Sequence, residues 1–300
     1  MARNFRLHCL TKNRTNPAYV GAQIGAARLA DSLGCTLVGA APATPDDPGE
    51  QIALLEEALA SRPDAILIAP VHTTALDPTL RKVVYAGIPL VFFVASAPAI
   101  AADTFVTADN RTLAAAVAGR LFEHLGGTGE VAILEGLPQS PTAAPRAEGF
   151  RAAASGFPGI RIVDSAVGDY QHAGGRLAMA RMLERHARID GVVAANDAMA
   201  LGAIAALREA GREAAVVGIN AMPDAIRAIR SGAMLATVSY DALSLVCTGV
   251  HAAVRILTGR PVPRLLELPA DVVDAGNCAA WDVPYEQRPL PTWQGATGIV

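Results

Sequence analysis

The chain has 300 residues, 52% of them hydrophobic and 18% charged, with a formal net charge of −3. That length accommodates two domains of ordinary size, and the apolar content is ample for two cores. The slightly acidic balance gives no basic footprint for nucleic acid or an anionic membrane surface, and no apolar run is long enough to span a bilayer, so a soluble chain is expected.

Read in order, the chain alternates strand and helix patterns. Strands are expected at 5–10, 35–39, 64–69, 88–94, 104–107, 130–135, 160–167, 190–195, 214–219 and 234–239, with amphipathic segments between them. Asn16 before Pro17 marks a helix start, and Gly34, Gly87 and Gly126-Gly127 mark helix ends. Ala65-Ile-Leu-Ile-Ala69 is the unbroken apolar run of a parallel strand buried on both faces. The class this predicts is α/β, with doubly wound parallel sheets, and the pattern restarts after Asp109.

The segment Val192–Leu207, VVAANDAMALGAIAAL, feeds an apolar strand into a helix through Asn196-Asp197. Two adjacent polar groups exceed what one helix cap needs, so one of them is available to face a ligand beyond the strand's carboxyl end. Catalysis has no comparable candidate. His8, His72, His124, His172, His186 and His251 are scattered, and neither a nucleophile elbow nor a phosphate-binding glycine loop is present. Cys9, Cys35, Cys247 and Cys278 lack metal-ligand spacing and read as buried free thiols, so no metal and no cofactor is expected.

NDAMALGAIAAL resembles the NDxMAxGAxxAL segment of periplasmic sugar-binding proteins of ribose-binding type, which share a fold with the effector domains of LacI-type regulators. The resemblance runs from Phe5 to about Asp274. Asn16-Pro17-Ala18-Tyr19 is similar to the family's NPFF or NPYF, Ala108-Asp109-Asn110 to its SDN, and Arg146-Ala-Glu-Gly-Phe150 to its RxxGF. Gly218-Ile219-Asn220 stands where the family has GFD, with Pro223-Asp224 and Gly232 following in its order.

The resemblance implies two lobes joined by three crossings, placed near 108, 240 and 268: residues 1–108 plus 241–268 in one lobe, 109–240 plus 269–300 in the other. It implies a ligand held in the cleft between lobes, contacted by Asn16, Tyr19, Arg146, Tyr170, Asn196, Asn220 and Tyr240. These are also the residue types a sugar site uses, aromatic faces beside planar amide and guanidinium groups. Asn16 serves equally as a helix cap, and Tyr19 and Tyr170 as half-buried aromatics. For Arg146 the alternative is a solvated surface arginine, but Pro141 and Pro145 position its loop rigidly, which puts the ligand role ahead. The implied function is a monomeric solute-binding protein that takes a small neutral sugar or sugar alcohol to the membrane permease of an ABC importer, without chemistry and without nucleic acid. The implied location is the periplasm, with a signal peptide removed ahead of Met1. The alternative is the effector core of a LacI-type regulator lacking its DNA-binding segment.

Departures from the family bear on specificity. Val94-Ala95 occupies the place of an Asp-Arg pair and Asn220 that of an Asp, which removes charge-assisted contacts to hydroxyls, so a ligand other than ribose is expected. Lys12 and Arg14 admit an acidic ligand if they face it; the commoner fate of such residues is solvation. After Asp274 the chain runs on through Trp281, prolines 284, 289 and 291, and Trp293, a composition that predicts an extended strap docked by its aromatics.

Overall fold

The computed structural model describes residues 4–299; residues 1–3 and 300, which the expected lobes include, lie outside them. In chain order the elements are β1 (Arg6–Leu10), α1 (Pro17–Ser32), β2 (Thr36–Ala40), α2 (Pro48–Ala60), β3 (Ala65–Ile68), α3 (Asp77–Tyr85), β4 (Leu90–Phe93), β5 (Thr104–Thr107), α4 (Asn110–His124), β6 (Thr128–Glu135), α5 (Ala143–Ser155) and β7 (Gly159–Val167). There follow α6 (His172–Arg185), β8 (Gly191–Ala194), α7 (Asp197–Glu209), β9 (Ala215–Val217), α8 (Pro223–Arg230), β10 (Ala236–Val238), α9 (Ala242–Leu257), β11 (Leu265–Glu267), β12 (Val272–Asp274), a 3-10 turn at Cys278–Trp281 and α10 (Trp293–Thr297). No helix among the described residues is long and apolar enough to cross a membrane.

The chain forms two compact units. Unit 1 comprises Met1–Ala108, Asp241–Pro269 and Pro284–Val300; unit 2 comprises Asp109–Tyr240 and Ala270–Val283. The segment 284–300 therefore groups with unit 1, whereas the sequence pattern alone put it with the other lobe.

The sheet of unit 1 has the order β2-β1-β3-β4-β5-β11 and is parallel throughout. β3 and β4 are buried along their whole length, and α9 packs against both of them and against α1. The sheet of unit 2 repeats the order as β7-β6-β8-β9-β10-β12, parallel except for the final β10–β12 pair. The stretch 265–274 is two short strands, one in each sheet. Pro269 lies between them, and a residue without an N–H cannot continue a ladder.

Helix starts follow the sequence. Asn16 Oδ1 accepts the Ala18 N–H at 3.0 Å and Asp47 Oδ1 accepts that of Glu50 at 2.8 Å, each ahead of a proline in the first turn. Gly34 and Gly126 follow their helices at φ of 71° and 66°, which a side chain would oppose.

The tail is fixed to unit 1 by side chains. The Tyr285 ring fills the notch left by Gly21, and Arg28 donates to the carbonyls of Tyr285 and Arg288, at 3.0 Å each. Arg288 is buried over the Tyr285 ring and lies 3.5 Å from the Asp241 carboxylate, while the Trp293 ring lies under the Arg255 guanidinium at 4.5 Å. Trp281 is part of unit 2, where its turn packs on α8 and the Arg230–Asp282 pair closes the contact. All four cysteines are free and buried.

Candidate functional site

In unit 2 the parallel strands β6, β7, β8, β9 and β10 deliver their carboxyl ends to one edge of the sheet, the edge where open α/β sheets bind ligands. Arg146, Tyr170, Asn196, Asn220 and Tyr240 all stand on the segments that leave these ends.

Arg146 lies in the first turn of α5 and is 3% exposed, so it is no surface arginine. Its Nε donates to Asn110 Oδ1 at 2.8 Å and its Nη1 to the Ala195 carbonyl at 2.6 Å, and the guanidinium stands 4.9 Å from the centre of the Tyr240 ring. Gly149, one turn on, lets α5 approach α4 so closely that a Cβ there would strike the Arg111 carbonyl.

Asn196 does two jobs at once. Its Oδ1 caps α7 by accepting the Met199 N–H at 2.9 Å, and its Nδ2 donates to the Tyr170 carbonyl at 2.9 Å. Tyr170 holds φ at 58°, its hydroxyl is 2.8 Å from Thr142 Oγ1, and its ring covers Gly136, where a Cβ would collide with it. Such left-handed geometry at a bulky residue is costly and persists only where surrounding contacts impose it.

Asn220 (φ 126°) and Ala221 (φ 50°) form a second strained pair after β9. They are pinned by Asp197, whose two oxygens accept from the Thr237 hydroxyl at 2.6 Å and from the Met222 N–H at 2.8 Å. Burial pushes the Asp197 carboxyl up to about 6, against the opposing effect of those hydrogen bonds and of the Arg146 charge.

In unit 1, Asn16 caps α1 and receives its own N–H partner from Asn13, whose Oδ1 is 2.9 Å from the Asn16 nitrogen. Tyr19 is half-buried and lines a groove of about 310 Å³ with Asn13, Arg14, Gln23 and Gly39. Lys12 is 2% exposed, contrary to the solvated fate usual for such a residue, and its charge acts on the buried Asp46, which also accepts from Asn13 Nδ2 at 3.0 Å. Arg14 is exposed and donates to the Ala41 carbonyl at 3.1 Å. Val94, standing where a charged pair was expected, is buried at φ 65°.

The structure thus joins Arg146, Tyr240, Asn196 and Tyr170 into one connected cluster, places Asn220 on the neighbouring loop, and puts Asn16 and Tyr19 in unit 1. Sequence reasoning missed Asn110, Thr142, Thr237 and Asp46. Two of them carried a signal, because Asp46-Asp47 and Asp109-Asn110, each at a helix start, repeat the doubled polar cap of Asn196-Asp197. Among the described residues, no group of three or more His, Cys, Asp or Glu side chains is placed to hold a metal.

Two α/β units with ligand-type residues at strand ends define the type I periplasmic binding fold, and comparison with known proteins agrees. The sequence pattern of the family described as periplasmic binding protein domain matches residues 9–261, and the chain belongs to that family. It is 32% identical over 242 residues to the D-ribose/D-allose-binding protein of Pseudomonas aeruginosa, covering 76% of this chain and 75% of that protein. An ABC transporter periplasmic solute binding protein from Actinobacillus succinogenes, solved with bound D-allose, superimposes with a TM-score of 0.87 at 26% identity, over 92% of this chain and 99% of that one. A solute binding protein from Mycobacterium smegmatis with bound glycerol gives 0.86 at 28% identity, over 92% and 96%.

Proposed function

We propose that the ligand of this chain is a small neutral sugar or sugar alcohol, contacted by Arg146, Tyr170, Asn196, Asn220 and Tyr240 of unit 2 and by Asn16 and Tyr19 of unit 1. The chain is a solute-binding protein of an ABC-type import system, not an enzyme, and its family implies the periplasm. It acts as a monomer that presents its ligand to the membrane permease. The relatives are import and binding proteins, which favours this reading over the effector core of a LacI-type regulator.

The observation that carries the ligand class is the Arg146 cluster. A buried guanidinium, stacked on Tyr240 and braced by Asn110 and Ala195, offers fixed planar donors beside an aromatic face. Hydroxyls and C–H faces of a polyol need that combination. The nearest cations already act on buried carboxylates of the protein, Arg146 on Asp197 and Lys12 on Asp46, which favours a neutral ligand over an acidic one.

A thermal-shift screen against D-allose, D-ribose, myo-inositol, xylitol, glycerol and sugar acids tests it. A ligand at a hundredfold excess over its Kd stabilises by about 2.7 kcal/mol, a readily measured shift. At least one neutral compound is expected to give such a shift. A response to sugar acids alone, or to none of the panel, would overturn the reading.

A further inference from the structure

We infer that Asn110 is a positioning residue for recognition: its side-chain amide locks the Arg146 guanidinium and the Tyr240 ring into one preformed ligand-facing pair. The inference rests on the reading of the Arg146 cluster given above.

An asparagine amide is an acceptor at one end and a donor at the other, and Asn110 uses both ends on the two residues concerned. Oδ1 takes the Arg146 Nε–H at 2.8 Å, and Nδ2 lies 3.4 Å from the Tyr240 hydroxyl. Arg146 and Tyr240 meet directly at 4.9 Å, so the three side chains close a triangle drawn from the start of α4, the start of α5 and the end of β10. The cap of α4 comes from the preceding residue: Asp109 accepts the Arg111 N–H at 3.0 Å and the Thr112 hydroxyl. The backbone is built for the same end, since Gly149 brings α5 against α4 and so sets Arg146 alongside Asn110.

Arginine has five N–H donors in a rigid fork. With Nε held by Asn110 and Nη1 by the Ala195 carbonyl, the plane of the guanidinium is set from two directions, and Nη2 makes no hydrogen bond among the described residues. The rotamer entropy that a long side chain loses on gripping a ligand has then been lost already in folding, which is the gain from preorganisation. Without Asn110 the guanidinium keeps its charge and its Ala195 contact yet loses its fixed plane.

Two readouts test this. The first needs no ligand: in nitrogen-15 spectra the Arg146 Nε–H signal, assigned by its disappearance in Arg146→Lys, is expected to be slow to exchange in the wild type and to broaden or vanish in Asn110→Ala. The second is calorimetry with D-allose, myo-inositol, xylitol and glycerol. Asn110→Ala is expected to weaken whichever binds by about tenfold, the factor that one such hydrogen bond is worth. Asn110→Asp, which retains the acceptor for Nε, should recover most of that loss, and Asn110→Ala should add little in an Arg146→Lys background. An unaltered Nε–H signal in Asn110→Ala overturns the inference even if no compound of the panel binds. Additive losses in the double variant overturn it as well, since independent contributions contradict a shared pair. Failure of the wild type to bind any of the four, and D-ribose with them, sinks the ligand class, and the Nε–H signal then decides the positioning role by itself.

Discussion

The Thr237 hydroxyl donates to Asp197 across 2.6 Å, and this bond ties the end of β10 to the start of α7. The other oxygen of Asp197 holds the Met222 N–H, and the Asp197 backbone N–H donates to the Ile219 carbonyl at 2.9 Å, so one residue fastens both sides of the strained turn that carries Asn220.

Stability should register that carboxylate's titration. Burial raises Asp197 from an ordinary 3.8 to about 6, so between those values the folded state holds a proton that the unfolded state has released. Its contribution is fully present below about pH 4 and is lost as pH rises through 6. Asp197→Asn removes the titration, so the difference in melting temperature between wild type and variant should change across pH 4–7 and be flat above it. A constant difference over the whole range would show that Asp197 is not raised.

Arg146 is expected to affect binding and stability together. Arg146→Ala strands the Ala195 carbonyl and the Asn110 amide in a buried place, at a cost of about 1–3 kcal/mol to folding, and removes a donor from the ligand. Arg146→Lys keeps the charge and loses the planar fork, and should still weaken binding at least about tenfold. Calorimetry that finds wild-type affinity in Arg146→Lys would take the guanidinium out of the site.

D-ribose should bind at least about tenfold more weakly than the best neutral compound of the panel, because Val94-Ala95 and Asn220 supply none of the charge-assisted contacts, each stronger than a neutral one, that the family's acidic and basic residues make there. A competition titration decides it, and ribose ranking first would show that other groups replace those contacts.

In unit 1 the strap should be sensitive to a single methyl group. A Cβ at Gly21 would lie 2.5 Å from the Tyr285 ring, so Gly21→Ala must displace the tail, with an expected cost of about 1–3 kcal/mol. Tyr285→Ala on its own also destabilises, but the double variant should be less impaired than the sum of the two. Strict additivity in chemical denaturation would mean that the tail is held elsewhere.

The alternation of elements was legible because apolar period and cap residues are local: Asn16, Asn196 and the glycines at 34, 87 and 126 stand where helices begin and end. Strand-end residues with aromatic or planar polar side chains were legible for the same reason, one segment at a time. Their partners were not. Asn110, Thr142 and Thr237 gain a role only from side chains 28 to 130 positions away, a distance no local pattern spans. Arg146 looked ambiguous since burial is a property of the assembled α4–α5 pair. For the tail, two tryptophans and three prolines announced docking along an extended path, but the notch at Gly21 and the Arg28 and Arg255 partners that draw it to unit 1 are fixed by the packing of α1 and α9.

The position of α9 in the chain sets an order of assembly during synthesis. Its apolar face completes the core of unit 1, with Leu243 against Gly25 and Gly249 against Leu67 and Val91, yet it is made only after the whole of 109–240. A nascent chain that has reached residue 240 holds every strand of unit 2 except β12, while the first 108 residues still lack α9, α10 and the edge strand β11. The later-made unit is therefore expected to mature first, with the faces of α1, β3 and β4 in the earlier-made one uncovered until α9 is made. Chains arrested near residue 240 should show early protease resistance in 109–240 and persistent cleavage within 1–108, a window in which a holding chaperone has the most to protect.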